Sequence, residues 1–276
     1  MISVVMATYN GERFLKKQLD SIKNQKKKVD EVIIRDDGST DRTTEIVKEY
    51  IDSNNLMNWN FKVNANNKGF KKNFYDLLKL ADGDIIFLSD QDDVWEDDKI
   101  AVMCEVMENN PRIKTLNSAI QLVNKDLEPV KIKPRKNFYN ANLLYYKNEL
   151  KEINFLNFDE MLMRNISPGC SMAITREIKE IFLDSYDFIL AHDWYMNILA
   201  SIDGNCCFLN RKLINYRIHE DNTLGLSTKW DIKSKLNSLQ KDQKIKLREF
   251  EDMQKSIINL KSNYHLDKKL TKRLNE

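Results

Sequence analysis

Over its first hundred residues the chain alternates short apolar runs with segments of helical period, and each apolar run stops in a polar cluster. Ile2–Met6 reads as a buried first strand, followed by Phe14, Leu15, Leu19 and Ile22 at helical spacing. Val32-Ile33-Ile34 is a second strand, ending at Asp36-Asp37-Gly38. Ser39-Thr40-Asp41 then offers N-cap chemistry to a helix whose apolar face is Ile46, Val47, Tyr50 and Ile51. A weaker strand, Phe61–Val63, precedes a helix opened by Gly69 and carrying Phe70, Phe74, Leu77, Leu78 and Ala81. Ile85–Leu88 is a strong strand that runs into Ser89-Asp90-Gln91-Asp92-Asp93. Such alternation predicts an α/β fold, a mostly parallel central sheet with helices on both faces. In sheets of that kind ligands sit beyond the carboxyl ends of the strands. Three polar clusters (Thr8-Tyr9-Asn10, Asp36-Asp37 and Asp90–Asp93) therefore fall on one edge and predict the rim of a site.

Beyond residue 110 the pattern loosens. Thr115–Val123 and Cys206–Leu209 read as strands and Phe188–Leu199 as a helix around His192-Asp193-Trp194, while 130–165 shows little periodicity. From residue 229 to the end, 13 Lys and Arg face 7 Asp and Glu, so a basic tail follows an acidic body although the net charge is only +2. That net charge gives no support to a nucleic-acid partner. In the tail, Phe250, Met253, Ile257, Leu260 and Tyr264 step by three and four, a heptad-like helical stripe. The stripe suits packing on the chain's own body, a homodimer seam, or peripheral contact with anionic lipid. Domain boundaries are accordingly expected at 1–226 for a catalytic body, divided into 1–110 and 111–226, and at 227–276 for a helical extension. No stretch approaches 18 apolar residues and the first residues lack a basic, cleavable leader, so a cytoplasmic protein is expected, peripheral at most to the inner face of the cell membrane. Cys104, Cys170, Cys206 and Cys207 form no C-x-x-C pair, which fits a reducing compartment.

The missing motifs narrow the chemistry. There is no G-x-x-x-x-G-K-[ST] loop, no G-x-G-x-x-G turn and no G-x-S-x-G elbow, and His192, His219 and His265 are too dispersed for H-E-x-x-H. What remains is the acidic run Asp90, Asp92, Asp93, Glu96, Asp97 and Asp98. Val94, Trp95 and Ala101 occupy positions where an EF-hand needs an oxygen, a glycine and a bidentate glutamate, so that loop is excluded. Asp97 and Asp98 are explained as first-turn acids of a helix beginning near Lys99. Asp90 and Asp92 are not. Carboxylates gathered where a buried strand emerges repel unless a cation offsets them, and alternate residues of extended chain point the same way. Together they can face one Mg²⁺ or Mn²⁺.

The ordered set Ala7-Thr8-Tyr9-Asn10-Gly11, Asp36-Asp37-Gly38-Ser39-Thr40-Asp41, Asn67-Lys68-Gly69, Leu88–Trp95, His192-Asp193-Trp194 and Tyr216-Arg217-Ile218-His219 resembles family 2 glycosyltransferases of the A-type fold. The likeness is strongest to the bacterial polysaccharide branch with its rhamnosyltransferases, and it covers about residues 1–226. It implies an inverting, metal-dependent transfer of a sugar, rhamnose among the candidates, from a UDP- or dTDP-linked donor to a glycan or lipid-linked acceptor. By the resemblance Thr8, Tyr9, Asn10, Asp36, Asp37 and Asn73 would serve the donor nucleotide, with Tyr9 against the pyrimidine and Asp37 accepting from its imide. Asp90 and Asp92 would form the D-x-D pair, Asp92 on the metal and Asp90 nearer the ribose. Gly169, in Ser167-Pro168-Gly169-Cys170, would lie beside the donor sugar, Arg217 and His219 would close over diphosphate and metal, and Asp193 would be the base. Much of the wider family has Q-x-x-R-W where this chain has Tyr216-Arg217-Ile218-His219.

Other readings of the same residues stand beside this one. Asp193 also suits a helix N-cap, Tyr9 an exposed rim and His219 a solvated loop. Asp90-x-Asp92-x-Val94 matches the D-x-D-x-[TV] pattern of aspartyl-phosphate phosphatases, in which Asp90 would be the nucleophile. A nucleotide-sugar-binding scaffold without catalysis is a third reading.

Overall fold

The computed structural model describes residues 1–131, 150–163, 165–219 and, near the C-terminus, 248, 251–252 and 254–259. Its centre is one sheet built on β1 (Ile2–Thr8), β2 (Glu31–Asp36), β3 (Trp59–Val63) and β4 (Ile85–Ser89). These run parallel in the order β3-β2-β1-β4, as the alternation predicts. Beyond β4 the sheet becomes mixed: β8 (Met172–Thr175) is antiparallel to both β4 and β6 (Thr115–Val123), and β9 (Cys206–Arg217) then runs parallel to β6. Two short strands finish it, with β5 (Val94–Trp95) and β7 (Ile153–Phe155) both antiparallel to β9.

Helices cover both faces, and period-two alternation along the strands decides which side chain goes where. Val4, Met6, Val32, Ile34 and Phe87 pack under α1 (Leu15–Lys23), α2 (Thr43–Ser53) and α4 (Lys99–Asn109). Val5, Ile33, Ile86 and Leu88 pack under α3 (Phe70–Leu78), α5 (Phe158–Met163), α6 (Arg176–Ser185) and α7 (His192–Ile202). Both cores are continuous, so the strand ends and their loops are held on a rigid platform.

Three expectations need adjusting. The helix expected over 188–199 begins only at His192, since Phe188 adopts φ +62° and Ala191 is extended. The strand expected over 206–209 continues to Arg217, because the exposed Asn210, Arg211 and Lys212 interrupt its apolar pattern without ending its pairing. Asp41 serves α2 from just before its N-cap, accepting from Thr43 N at 3.0 Å. Of the tail stripe, Phe250, Met253, Leu260 and Tyr264 lie outside the described residues or have undescribed side chains. Ile257 packs against the core that holds α7, and Ser256 donates to Asp187 at 2.8 and 2.9 Å. Among the described residues, no helix is long and apolar enough to cross a membrane.

Candidate active site

The cleft begins at the carboxyl ends of β1 and β2. Asp36 is fully buried, and its carboxylate accepts from Thr8 Oγ1 at 2.8 Å, Ser39 Oγ at 2.6 Å, Ser39 N at 2.7 Å and Gly38 N at 3.1 Å. Asp37 accepts from Asn64 Nδ2 at 2.8 Å, Lys68 N at 2.9 Å and Gly69 N at 2.8 Å. It thereby ties the turn after β2 to the start of α3. Two carboxylate oxygens offer about four acceptor sites, so Asp37 retains capacity for one more donor from a ligand. Asn73 is buried and spends its amide inside the protein, donating to the Arg35 carbonyl at 2.9 Å and accepting from Asn64 at 3.1 Å. The structure thus makes Asn73 a brace for Asp37. Asn10 accepts from Thr40 N at 2.8 Å, and Tyr9 is 45% exposed, its ring uncovered at the rim.

Gln91, the central residue of Asp90-Gln91-Asp92, clips this rim to β4. It accepts from Tyr9 N at 2.7 Å and donates to the Tyr9 carbonyl at 2.8 Å. A Cβ on Gly11 would stand 2.2 Å from Gln91 Oε1, so any side chain there would push Gln91 out of these two bonds.

The second wall comes from β9. Val94 pairs with Asn215 and Trp95 with Ile214, so the chain beyond β5 and the end of β9 are in register. That register delivers His219 Nε2 to within 2.9 Å of Asp92 Oδ2, across 127 residues of sequence. Arg217 is fully buried; its main-chain N donates to Asp93 Oδ1 at 3.0 Å and its Nε to the Asp92 carbonyl at 2.7 Å. It also donates to the Lys125 carbonyl at 2.5 Å and lies 4.5 Å from the centroid of the Phe14 ring. These contacts hold the D-x-D turn. Arg217 also borders a cavity of about 220 Å³ with Arg13, Phe14, Lys17, Lys125 and Asp126.

Behind the turn, ligand atoms of Asp90, Asp93 and Cys170 lie within 4.8 Å of one another. Burial, then the charges of Asp92 and Asp193, push the Asp90 carboxyl up to about 7. Asp93 is driven well above the ordinary range by burial and the same crowding. The Cys170 thiol is pushed up as well, so it stays protonated and is a poor partner for a hard cation. Lys99, fully buried, sits 3.9 Å over the Trp95 ring and donates to the Cys170 carbonyl at 2.7 Å; burial lowers its ammonium to about 7. Carboxylates so crowded that one of them takes up protons near neutrality are what a divalent cation relieves. Beside this buried group, Asp92 and His219 form a second, less buried pair of possible donors 2.9 Å apart.

The third wall is the turn 169–171 and the start of α7. Asp193 is buried and accepts from Asn165 Nδ2 at 2.9 Å and Trp194 N at 2.8 Å. Ala191 is the N-cap, so Asp193 lies in the first turn, where its carboxylate accepts from the Trp194 N–H of the same helix end. A Cβ on Gly169 would come to 3.3 Å from Asp193 Cβ, while the next residue, Cys170, belongs to the Asp90 cluster. Asp193 and the D-x-D turn therefore lie on either side of this turn, near enough for the charge of Asp193 to help raise Asp90.

Sequence reasoning missed Gln91, Asn64 and Lys99 as parts of the site, and left Asp93 among the unassigned acids. A polar residue inside a D-x-D and a lysine at a buried helix start were the signals available.

The profile of glycosyl transferase family 2 matches residues 3–174, and the chain belongs to this family. The dTDP-rhamnosyl transferase RfbG of Shigella flexneri is 30% identical over 249 residues, covering 83% of this chain and 77% of that protein. Among solved structures, S. aureus TarS 1–349 in complex with UDP-GlcNAc superposes with a TM-score of 0.67 at 18% identity, over 99% of this chain and 70% of that one. The mannosyltransferase PcManGT from Pyrobaculum calidifontis, in complex with GDP-Man and Mn²⁺, gives 0.59 at 14% identity, over 99% and 78%. These likenesses place the fold with the A-type glycosyltransferases. Family membership makes the chain a glycosyltransferase, which sets aside the phosphatase and scaffold readings of Asp90.

Proposed function

We propose that this glycosyltransferase moves a sugar, rhamnose first among the candidates, from a dTDP- or UDP-linked donor to a hydroxyl of a glycan or lipid-linked acceptor, with inversion. What supports the proposal is the pairing of His219 with Asp92 at 2.9 Å, beside an Asp90 that the charges of Asp92 and Asp193 both help to raise. RfbG, whose name states a dTDP-rhamnosyl transfer, supports rhamnose and its nucleotide.

Asp37 accepts the pyrimidine imide, Tyr9 covers the ring, and Thr8, Asn10, Asp36 and Asn73 hold the turns that present them. Asp92 and Asp90 would hold the cation with His219 closing over it, Asp90 also serving the ribose. When bound, the cation offsets the charge that collects on the departing diphosphate. Arg217 fixes the Asp92 main chain and keeps these ligands in place. Gly169 leaves the floor beneath the sugar bare. Asp193 takes the proton of the acceptor hydroxyl as its oxygen bonds to the anomeric carbon and the bond to the diphosphate oxygen breaks. General-base help of this kind is worth about 10²–10⁴ in rate.

The catalytic body is assigned to residues 1–226 and a basic extension to 227–276, suited to the inner face of the cell membrane or to a second copy. A panel of dTDP- and UDP-sugars with Mn²⁺ or Mg²⁺ tests the reading. Release of nucleoside diphosphate from one donor, abolished by chelation, is expected. Release of inorganic phosphate, or turnover indifferent to chelation, contradicts it.

A further inference from the structure

His192 stands one residue before Asp193 and has no role in the transfer just described. Its side chain is buried, the residue being 5% exposed, yet neither ring nitrogen has a hydrogen-bond partner among the described residues. Leaving a buried donor or acceptor unmade costs about 1–3 kcal/mol, and native structures leave few such atoms. Burial lowers the imidazole to about 4, so at neutral pH one nitrogen donates and the other accepts.

Apolar contacts alone hold the ring. It stacks on Phe74 at 4.1 Å between centroids and 18° between planes, and Phe70 meets it edge-on at 6.0 Å. A phenylalanine would fit the same slot without the desolvation cost, so packing does not explain the nitrogens. What they face is set by Gly169: a Cβ there would reach within 3.1 Å of His192 Nε2 and 3.7 Å of Asp193 Oδ2. Glycine thus lets the 169–171 turn pack close against both, so that Nε2 and the Asp193 carboxylate flank the same point of the backbone.

We propose that His192 binds a sugar hydroxyl in this cleft, and so helps fix which sugar, in which orientation, lies against Asp193. The inference rests on the glycosyl-transfer reading above. A hydroxyl matches the site because it is neutral and can both donate and accept, as the imidazole does. An anion would be repelled by Asp90 and Asp193. His192 is also outside the group of metal-ligating atoms found among the described residues. The hydroxyl belongs either to the donor sugar or to the acceptor, and kinetics separate the two.

The test is His192→Phe, which keeps the stack and removes both nitrogens. The expected result is an unchanged or higher Tm, unchanged affinity for free nucleoside diphosphate, and kcat/KM for transfer reduced by about tenfold or more. If donor hydrolysis without acceptor falls equally, the hydroxyl is the donor's; if only transfer falls, it is the acceptor's. Wild-type turnover in His192→Phe overturns the inference, as does a loss of Tm together with nucleotide affinity, which marks an ordinary core residue. Should that variant not fold, His192→Gln and His192→Leu decide: Gln is expected to exceed Leu by about tenfold, and equal rates overturn the inference. Failure of the wild type to turn over any nucleotide-sugar would instead strike the glycosyl-transfer reading.

Discussion

On the β1–β2 side of the cleft, each carboxylate oxygen of Asp36 and Asp37 already accepts at least one hydrogen bond from the protein. On the α7 side, both nitrogens of His192 lack a partner among the described residues, and Asp90 and Asp93 are crowded until burial and repulsion raise them. One side is braced by the protein itself, with Asp37 keeping room for a single further donor; the other keeps polar atoms that lack any partner among the described residues. The difference matches a division of labour. On the proposed function, a nucleotide would be recognised by a shape held ready, and the reacting sugar and departing charge would be met by groups the protein leaves unpaired.

Substitutions on the two sides should therefore fail differently. Asp36→Ala strips acceptors from four bonds at the turn after β2 and should cost about 3 kcal/mol of stability, read by denaturant titration. A loss below about 1 kcal/mol would show that the turn does not depend on them. Asp92→Ala should leave the melting curve nearly intact and weaken donor binding in the presence of Mn²⁺ by about 100-fold, read by calorimetry. Unchanged affinity would remove Asp92 from the cation site.

The pH dependence of metal stabilisation sharpens the same contrast. Asp90 titrates near 7 in the folded protein, above its ordinary 3.8. Its contribution to stability is therefore present below 3.8 and lost as pH rises through about 7. A cation that relieves the ionised carboxylate should raise Tm by about 2–4 °C more at pH 8 than at pH 5. Equal shifts at the two pH values would mean that no such carboxylate meets the metal. Tyr9→Ala should have the smallest effect, about 1 kcal/mol or fivefold in nucleotide affinity with stability unchanged, because its ring is exposed at the rim.

The same contrast governs how much could be read from the chain. Asp36-Asp37-Gly38-Ser39 was legible because a strand end, its turn and the following cap are neighbours in sequence, and local hydrogen bonds complete them. The parallel half of the sheet was legible for the same reason. The mixed half was not: β8 inserts antiparallel between β4 and β6, and no local pattern announces its partners. The pairing of His219 with Asp92 depends on the register between β5 and β9, and only the resemblance brought those residues together beforehand. Gln91 bonding Tyr9 across 82 residues and Lys99 reaching the Cys170 carbonyl are tertiary facts without a local signature. The resemblance implies ligand contacts for Asn73 and Arg217, and what no local pattern announces is that both also hold main-chain carbonyls.

Asp193→Asn tests the central claim most directly, because it keeps the size of the side chain and the acceptor that one oxygen offers while removing its basicity. With a donor and Mn²⁺, calorimetry should give wild-type affinity while kcat for transfer falls by about 10²–10⁴. Wild-type turnover by the asparagine variant would contradict the account: the cleft between β4, β9 and α7 would then not be where the acceptor loses its proton.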